Sequence, residues 1–600
     1  PHYPPVSFSQ RAPTPLPRPY DYHRGVSTEH QTPPAADDQA TPHHLEQQRR
    51  DNRAKLLERG LDPYGSGAQG PEFLKSLVTN AAARDAYDEN ADEANKAAVA
   101  ARKEATRDNP DAGEDDLPAL VDDRPVVTIA GRVMLQRDNG KLVWLNLRDH
   151  TGDLQIAVSK RDCSEHGFTL AKGLDLGDLV VATGPLTKTR AGEVTVWADE
   201  LRPASKCLVP PPEKWSGLQD VEQRYRQRYV DLWANPDAMR VSVQRAKMVT
   251  RTRRFLDARG FLEVETPTFE LIPGGAAARP FVTHINAFDI DLYMRIATEL
   301  NLKRLLVGGM PRVYELGRIF RNEGVDRTHN PEFTTFELYE AHGNYETMRE
   351  LTESLMRDLA RMILGDLEIG QDIDATHPPE QPLPITFGDV TIDFAKPFER
   401  VRYEELFERV VEVSMRDREA VRAAAGHRGV ATKNEKGVEL DHWLVVGELF
   451  ERVCEPAIDP ARPTFVLDYP AALCPLTRPK ADDPEIAERF ELYVAGMELA
   501  NAYTELNDPD IQEAKFREQL AGVDDEESNF RNLDLDFVNA LKVGMPPAGG
   551  LGVGIDRLAM LMTGSRTIRD VILFPLMRPL QADAPPADAP PSDAHPLTSE

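Results

Sequence analysis

Apolar and polar residues alternate along two neighbouring stretches, 313–321 and 333–342, at the two-residue period of a β-strand. In "VYELGRIFR", Val313, Glu315, Gly317, Ile319 and Arg321 share a face. In "FTTFELYEAH", Phe333, Thr335, Glu337, Tyr339 and Ala341 point one way, and Thr334, Phe336, Leu338 and Glu340 the other. The intervening 322–332, with Gly324, Asn330 and Pro331, predicts a long loop between antiparallel strands. One face of this hairpin then gathers Arg321, Phe333, Glu337 and Tyr339, with Glu323 and His329 in the loop above. An arginine fork, a stackable ring and carboxylates on one sheet suit a polyanion bearing a planar base, plus a cationic partner. A charged, solvated hairpin is the plain alternative that these residues alone leave open.

The rest of the chain narrows the choice. Short alternating runs ("VVTIAGRV", "LVWLNLRD", "LQIAV", "LVVATGPL", "EVTVWADEL") fill 126–208 and predict a five-stranded barrel of the OB type. Parity turns Val143, Leu145 and Leu147 inward with Leu154, Ile156 and Val158, which leaves Trp144, Asn146 and Gln155 on the outside. An exposed Trp beside an exposed amide has the form of a base-stacking platform; a Trp covering a domain contact is the other reading. Helical periodicity marks "VQRAKMVTRTRRFLDARG" and "ETMRELTESLMRDLARMIL", whereas strands dominate 310–340 and 485–565. Helices and antiparallel strands mix without a βαβ rhythm, so the expected class is α+β. Within the long mixed domain neither GxGxxG nor GxxxxGK[ST] is present, so a nucleotide bound there must be held another way.

Composition adds limits. Six hundred residues exceed one core, so two or more domains are expected. No stretch has the ~18 uninterrupted apolar residues of a membrane span, and no signal-peptide pattern opens the chain. A net charge of −28 argues against bulk attraction to nucleic acid, so any RNA contact must come from local patches. Four widely spaced cysteines match no zinc pattern and suit a reducing cytoplasm. Residues 1–42 and 580–600 are poor in aliphatics and are expected to be disordered. Residues 43–124 hold a basic helix ended by Gly60, open to an RNA contact or a solvated face, and an Ala-rich charged stretch expected to be an exposed helix. The barrel takes 125–208 and one long mixed domain takes 209–579.

Three segments resemble, in order, the three signature motifs of class II aminoacyl-tRNA synthetases. They are "GFLEVETPTFE" (260–270, with Pro267), the hairpin from "FRNE" onward, and "GLGVGIDRLAML" (551–562, with Arg557). Within the class the chain is most similar to the lysyl-tRNA synthetases. "IPGGAAARPFVTHINAFDIDLYMRIATELNLKRLLVGG", "HNPEFTTFELYEAH", "ERFELYVAGMELANAYTELNDP" and "SRTIRDVILFPLMRP" carry that likeness.

The resemblance implies an antiparallel-sheet catalytic domain behind an OB-fold anticodon domain, and a cytoplasmic homodimer of motif 1 type. The helix before Pro267 is expected to need a partner for its apolar face. It also implies formation of lysyl-adenylate from lysine and ATP, then transfer of lysine to the 3′ end of tRNA(Lys). Glu505, Glu337 and Tyr339 would hold the lysine ε-ammonium, with Tyr503 on the same face as Asn501 and Glu505. Gly275 and Glu299 would take the α-amino group, and Arg321 and Asn501 the carboxylate. For ATP it implies Phe333 under the adenine and Arg557 over it, with Arg321, Glu323, His329 and Arg557 at the nucleotide. Glu491 and Glu498 would bind Mg2+, whose preference is for hard oxygen donors. Trp144, Gln155 and Glu193 would meet the anticodon.

Two departures stand out. Thr328 occupies a position where many bacterial relatives carry Arg, and Cys474 stands where Ser is usual, read here as tolerated packing. An aspartate- or asparagine-charging sibling would want added cations where Asn501–Tyr503–Glu505 offers a carboxylate. A protein-modifying paralogue would lack the barrel, and a non-catalytic RNA-binding descendant would have little use for Arg321, Arg557, Glu491 and Glu498 together.

Overall fold

The computed structural model describes residues 44–65, 69–109, 117–118, 122–211, 218–365, 381–434, 436–520 and 534–580. Most of both expected disordered tails lies outside these residues.

The alternation at 313–342 forms the predicted hairpin. β8 (Arg312–Phe320) pairs antiparallel with β9 (Glu332–Ala341), placing Ile319 opposite Phe333, Glu315 opposite Glu337 and Val313 opposite Tyr339. They sit inside an eight-stranded sheet with β7 (Leu262–Glu263), β10 (Glu399–Arg402), β11 (Thr464–Pro470), β12 (Ile486–Val494), β13 (Met497–Thr504) and β14 (Ala548–Gly554). The order is β10-β11-β12-β13-β14-β9-β8-β7, antiparallel except at its two ends, where β10 and β7 run parallel to their neighbours. An α+β class follows. The expected strand run at 485–565 is interrupted by helices at Pro509–Leu520 and Leu535–Gly544 and closes on helix α7 (Ile555–Thr563).

One sheet face is buried under helices. The other is covered at its β10–β12 end by a second core that includes Val401, Val466 and Tyr493, and the remainder is left for chemistry. Phe336 and Leu338 of β9 pack in one core with Met248 and Phe255 of α4 (Pro236–Asp257), Leu355 and Leu359 of α6 (Tyr345–Leu364) and Leu558 of α7. This corrects the expectation for α4: its apolar stripe is covered by its own chain, so that stripe is no evidence for a second copy. Burying such side chains contributes on the order of 1.5–3 kcal/mol each, enough to hold the sheet rigid beneath the opposite face.

The barrel is built from β1 (Val126–Asp138), β2 (Leu142–Asp149), β3 (Gly152–Ser159), β4 (Leu179–Lys188), β5 (Val194–Trp197) and β6 (Glu200–Ser205). The expected last strand is two, broken at Ala198–Asp199, and a helix (Glu165–Gly173) separates β3 from β4. Val143, Leu145, Leu147, Leu154, Ile156 and Val158 all face the core, as parity requires.

The N-terminal helices are docked on the barrel. Arg49 of α1 (His44–Glu58) is buried and donates to the carbonyls of Leu176 and Cys207 at 3.0 and 2.8 Å, so part of the basic helix serves packing. The Ala-rich α3 (Glu89–Asp108) is not simply exposed. Its Asp92 is fully buried and accepts from Thr187 Oγ1 (2.7 Å) and the Lys188 amide (2.8 Å) of β4.

Candidate active site

Cross-strand register brings the predicted residues together in rows. Glu491, Asn501, Gly552 and Glu337 lie on successive strands opposite one another, and Arg489, Tyr503, Gly550 and Tyr339 form the next row. Asn501 and Glu498 are three apart, an odd spacing that plain alternation would place on opposite faces. A register shift at Leu492/Tyr493 absorbs one residue of β13, pairing Glu498 with Tyr493 and Asn501 with Glu491, so all share the open face. The two-residue turn between β12 and β13 puts Ala495 at φ 53 and Gly496 at φ 73, which keeps both carboxylates close to one hairpin end.

The centre of this face is a glycine strand. A Cβ on Gly550 would lie 2.0 Å from Glu505 Oε1 and 2.5 Å from the Tyr339 ring. Gly550 and Gly552 therefore make the floor on which the side chains of the neighbouring strands converge. The alternate glycines of "AGGLGVG" were visible in the sequence, but their role depends on which strands flank them.

Carboxylates crowd one end. Glu299 opens α5 (Glu299–Val307), Glu337 stands on β9 and Glu505 follows β13; Glu299 and Glu505 are buried. Tyr503 donates to Glu299 Oε2 at 2.6 Å, and the Thr298 amide approaches Glu337 Oε1 at 3.2 Å. Gly275, at φ +86, is close beside Glu299, with its Cβ position 3.2 Å from the Glu299 Cβ. Burial, reinforced by the charge of Glu299, pushes Glu337 up to about 7. Burial also pushes Glu505 well up, against the pull of the Lys303 ammonium. Lys303 was missed from the sequence, where it reads as one more helix-face lysine.

Arginines crowd the other end. The Arg321 guanidinium lies over the Phe333 ring, 5.3 Å from its centroid, so one face of the expected adenine platform carries a cation. Arg557 follows Asp556, whose carboxylate accepts from the Thr334 amide (2.7 Å) and Arg245 (2.6 Å). That anchor fixes the first turn of α7 against β9. Arg557 in turn donates to the Glu498 carbonyl at 3.0 Å and reaches His329 Nε2 at 3.0 Å. Glu323 stays exposed in the loop.

Between these ends, Arg489 is a half-buried hub that sequence reading also missed. It donates to Asn501 Oδ1 at 3.1 Å and Cys474 Sγ at 3.3 Å, and pairs with Glu491. Cys474 is thus an acceptor in the network rather than filler. Glu491 also accepts from Tyr469 (2.8 Å) and Tyr493 (2.6 Å). Burial and the charge of Glu491 push Glu498 up. Burial, then Glu491 and its acidic neighbours, push Glu455 up to about 7 against a bond from Tyr493. Carboxylate oxygens are the ligand type a hard divalent cation takes, but Glu491 is paired with Arg489 and Glu498 lies 3.4 Å from Arg557. Among the described residues no group of three or more acidic, His or Cys side chains is arranged to hold a metal ion.

On the barrel, Trp144 is half-exposed and meets Trp197 edge-on, 6.4 Å between centroids. Gln155 lies on the outer face but is buried, a correction to its expected exposure. Its amide donates to Glu193 Oε2 (3.0 Å) and accepts from Thr195 (2.9 Å). Gln155 and Glu193 line a cavity of about 250 Å3 with Asp153, Val194 and Arg84, the last from helix α2 (Asn80–Asp85).

Comparison with known proteins agrees with this geometry. Residues 220–578 match the family "tRNA synthetases class II (D, K and N)" and 127–204 match "OB-fold nucleic acid binding domain". The chain belongs to the class II tRNA synthetases of the D, K and N group, with an OB-fold domain ahead of the catalytic one. It is 43% identical to a lysine--tRNA ligase of Pelotomaculum thermopropionicum over 88% of this chain and 94% of that one. It is 41% identical to that of Bacillus subtilis over 89% and 97%, and 47% identical to that of Anaeromyxobacter sp. (strain K) over 75% and 87%. Within the group it falls in the lysine--tRNA ligase family.

Proposed function

We infer that this chain is a lysine--tRNA ligase that activates lysine with ATP and esterifies it to the 3′ end of tRNA(Lys). The observation that carries the reading is one sheet face with a buried carboxylate pocket (Glu299, Glu337, Glu505) at one end and Arg321 and Arg557 at the other. An unpaired buried ammonium costs several kcal/mol, so a pocket of carboxylates selects a cationic amino acid.

In the first step a lysine carboxylate oxygen attacks the α-phosphorus of ATP, the bond to the β-phosphate bridge breaks, and pyrophosphate leaves. In the second, a ribose hydroxyl of the tRNA attacks the adenylate carbonyl and AMP leaves. The protein's part is placement and charge stabilisation, with no covalent nucleophile. Glu505, Glu337 and Tyr339 hold the ε-ammonium, and Glu299 beside Gly275 holds the α-ammonium. Asn501 and Arg321 align the carboxylate, and Phe333 supports the adenine. Arg321, His329 and Arg557 draw charge from the phosphates, with Glu323 at the loop end of the nucleotide. Glu491 and Glu498 would hold Mg2+, which supplies charge neutralisation at the triphosphate when bound. Trp144 stacks an anticodon base, and Gln155 with Glu193 lines the pocket beside it.

We also infer a homodimer through the motif 1 region. Leu262, Phe269, Leu271, Val282 and Phe288 are large, apolar and exposed within 262–288, a density that marks an interaction surface. Sedimentation showing an active monomer at nanomolar concentration would remove this point. Among the described residues no helix is long and apolar enough to cross a membrane, and the four unpaired cysteines suit the cytoplasm, where tRNA is charged. Amino-acid-dependent ATP–pyrophosphate exchange across the amino acids, followed by tRNA charging, tests the main reading. Exchange driven best by aspartate or asparagine would overturn it.

A further inference from the structure

Lys303 is fully buried, and its ammonium lies between two carboxylates of the pocket. It donates to Glu299 Oε1 at 2.6 Å and contacts Glu505 directly. The Tyr503 ring is 5.6 Å away and the Phe537 ring 6.0 Å. Glu299 belongs to its own helix, one turn back, and Tyr503 and Glu505 come from the end of β13. Glu337 and Tyr339 face the same pocket from β9, and beyond Phe537 lies the Arg304–Asp534 pair at 2.8 Å. Glu505 Oε1, above Gly550, has no donor among the described residues.

We propose that Lys303 is a positioning residue for lysine, a built-in cation that holds Glu299 and Glu505 apart and leaves the pocket two negative charges for the substrate's two ammonium groups. With all three carboxylates ionised, as two bound ammonium groups would hold them, one fixed ammonium leaves −2. The substrate brings two ammonium groups to this pocket, and its carboxylate lies toward Arg321. The inference rests on the lysine-pocket reading above. Without Lys303 the same three carboxylates would be left at −3, and the empty pocket would take up an additional proton to relieve their repulsion. Lysine would then have to displace that proton to bind. Lys303 thereby acts through Glu299 and Glu505 and need not touch the substrate.

The test compares wild type with Lys303→Met, whose unbranched side chain keeps most of the packing volume. Expected for the variant is a lysine KM raised about tenfold or more at pH 7 that recovers as pH rises to about 8.5, with ATP KM unchanged. Calorimetry in buffers of different ionisation enthalpy should count about one more proton released per lysine bound than in wild type. A lysine KM like wild type, or one raised equally at every pH with no additional proton released, overturns the proposal. Should Lys303→Met not fold, Lys303→Met/Glu299→Gln removes one charge of each sign. It should recover the melting temperature and lose the additional pH dependence of the single variant, keeping only the affinity loss of the missing Glu299 ligand. A double variant that also fails to fold overturns the proposal. Glu505→Gln separates the two readings: if it leaves lysine KM unchanged, the pocket reading itself fails. If it raises KM while Lys303→Met behaves as wild type, only the role of Lys303 fails.

Discussion

Arg557 Nη2 stands 3.0 Å from His329 Nε2, tying the first turn of α7 to the loop between β8 and β9. A guanidinium only donates, so Nε2 accepts and the ring proton sits on Nδ1, 2.7 Å from Asp326 Oδ2. Asp326 thus sets the tautomer that lets His329 hold Arg557 in place.

Asp326→Asn should lower the rate of ATP–pyrophosphate exchange by about tenfold while leaving lysine KM unchanged, because the loss is in phosphate-side orientation. Burial pushes the Asp326 carboxyl up, but bonds from the Thr328 and His329 amides and the His329 ring outweigh it and leave it at about 2. A depressed carboxyl contributes stability above its unfolded value and loses it as pH falls toward 2. The variant's deficit should therefore be constant from pH 6 to 9, as a pH–rate profile will record; a deficit confined to one end of that range would refute the assignment.

Glu505→Gln keeps size but removes the charge on which the ε-ammonium and Lys303 both rely. Breaking one side of a buried ion pair costs on the order of 3–5 kcal/mol, roughly a hundredfold or more in lysine affinity. Separate variation of lysine and ATP in the exchange assay should find lysine KM raised and ATP KM within about threefold of wild type. The melting temperature should fall as well, since Lys303 loses one of its two partners.

Burial and then the Glu299 charge raise Glu337 to about 7. Only the ionised carboxyl attracts an ammonium, so lysine should bind more tightly as pH rises from about 6 to 8, and Glu337→Gln should flatten that dependence. The sign for stability is opposite. A raised carboxyl binds a proton in the folded chain that the unfolded chain has released, so its contribution falls between about pH 4.5 and 7. Lysine titrations and thermal melts over this range check both signs.

Gly550→Ala places a methyl where Glu505 Oε1 and the Tyr339 ring already lie. Overpacking of this kind typically costs about 1–3 kcal/mol, and here it falls on the pocket floor. Lysine-dependent exchange should drop at least tenfold while the adenine site, three rows along β9 at Phe333, keeps its affinity in direct titration. Normal lysine KM in a folded variant would place the substrate elsewhere.

Trp144→Ala should weaken tRNA binding by about 1–3 kcal/mol, the worth of one base–aromatic stack, and leave tRNA-independent adenylate formation intact. An equal fall in pyrophosphate exchange would make Trp144 a structural residue.

The hairpin at 313–342, the inward faces of the barrel strands and the gathering of Arg321, Phe333, Glu337 and Tyr339 were legible in the residues. Alternation is a local property of an extended chain, and each strand carries its own period. That Asn501, Tyr503 and Glu505 share a face needed only the even spacing of "NAYTE"; the roles given to them came from the family resemblance. Other features lay beyond local reading because they depend on partners distant in sequence. Glu498 joins Asn501 on one face only through the bulge at β12–β13, which the facing strand imposes. Gln155 is covered because Glu193 and Thr195 reach it from a strand nearly 40 residues away. The apolar stripe of α4 finds its cover in α6, α7 and the sheet, and Lys303 becomes a buried cation because Glu505, some 200 residues on, closes over it. Periodicity decides which way a side chain points; register and packing decide what it meets there.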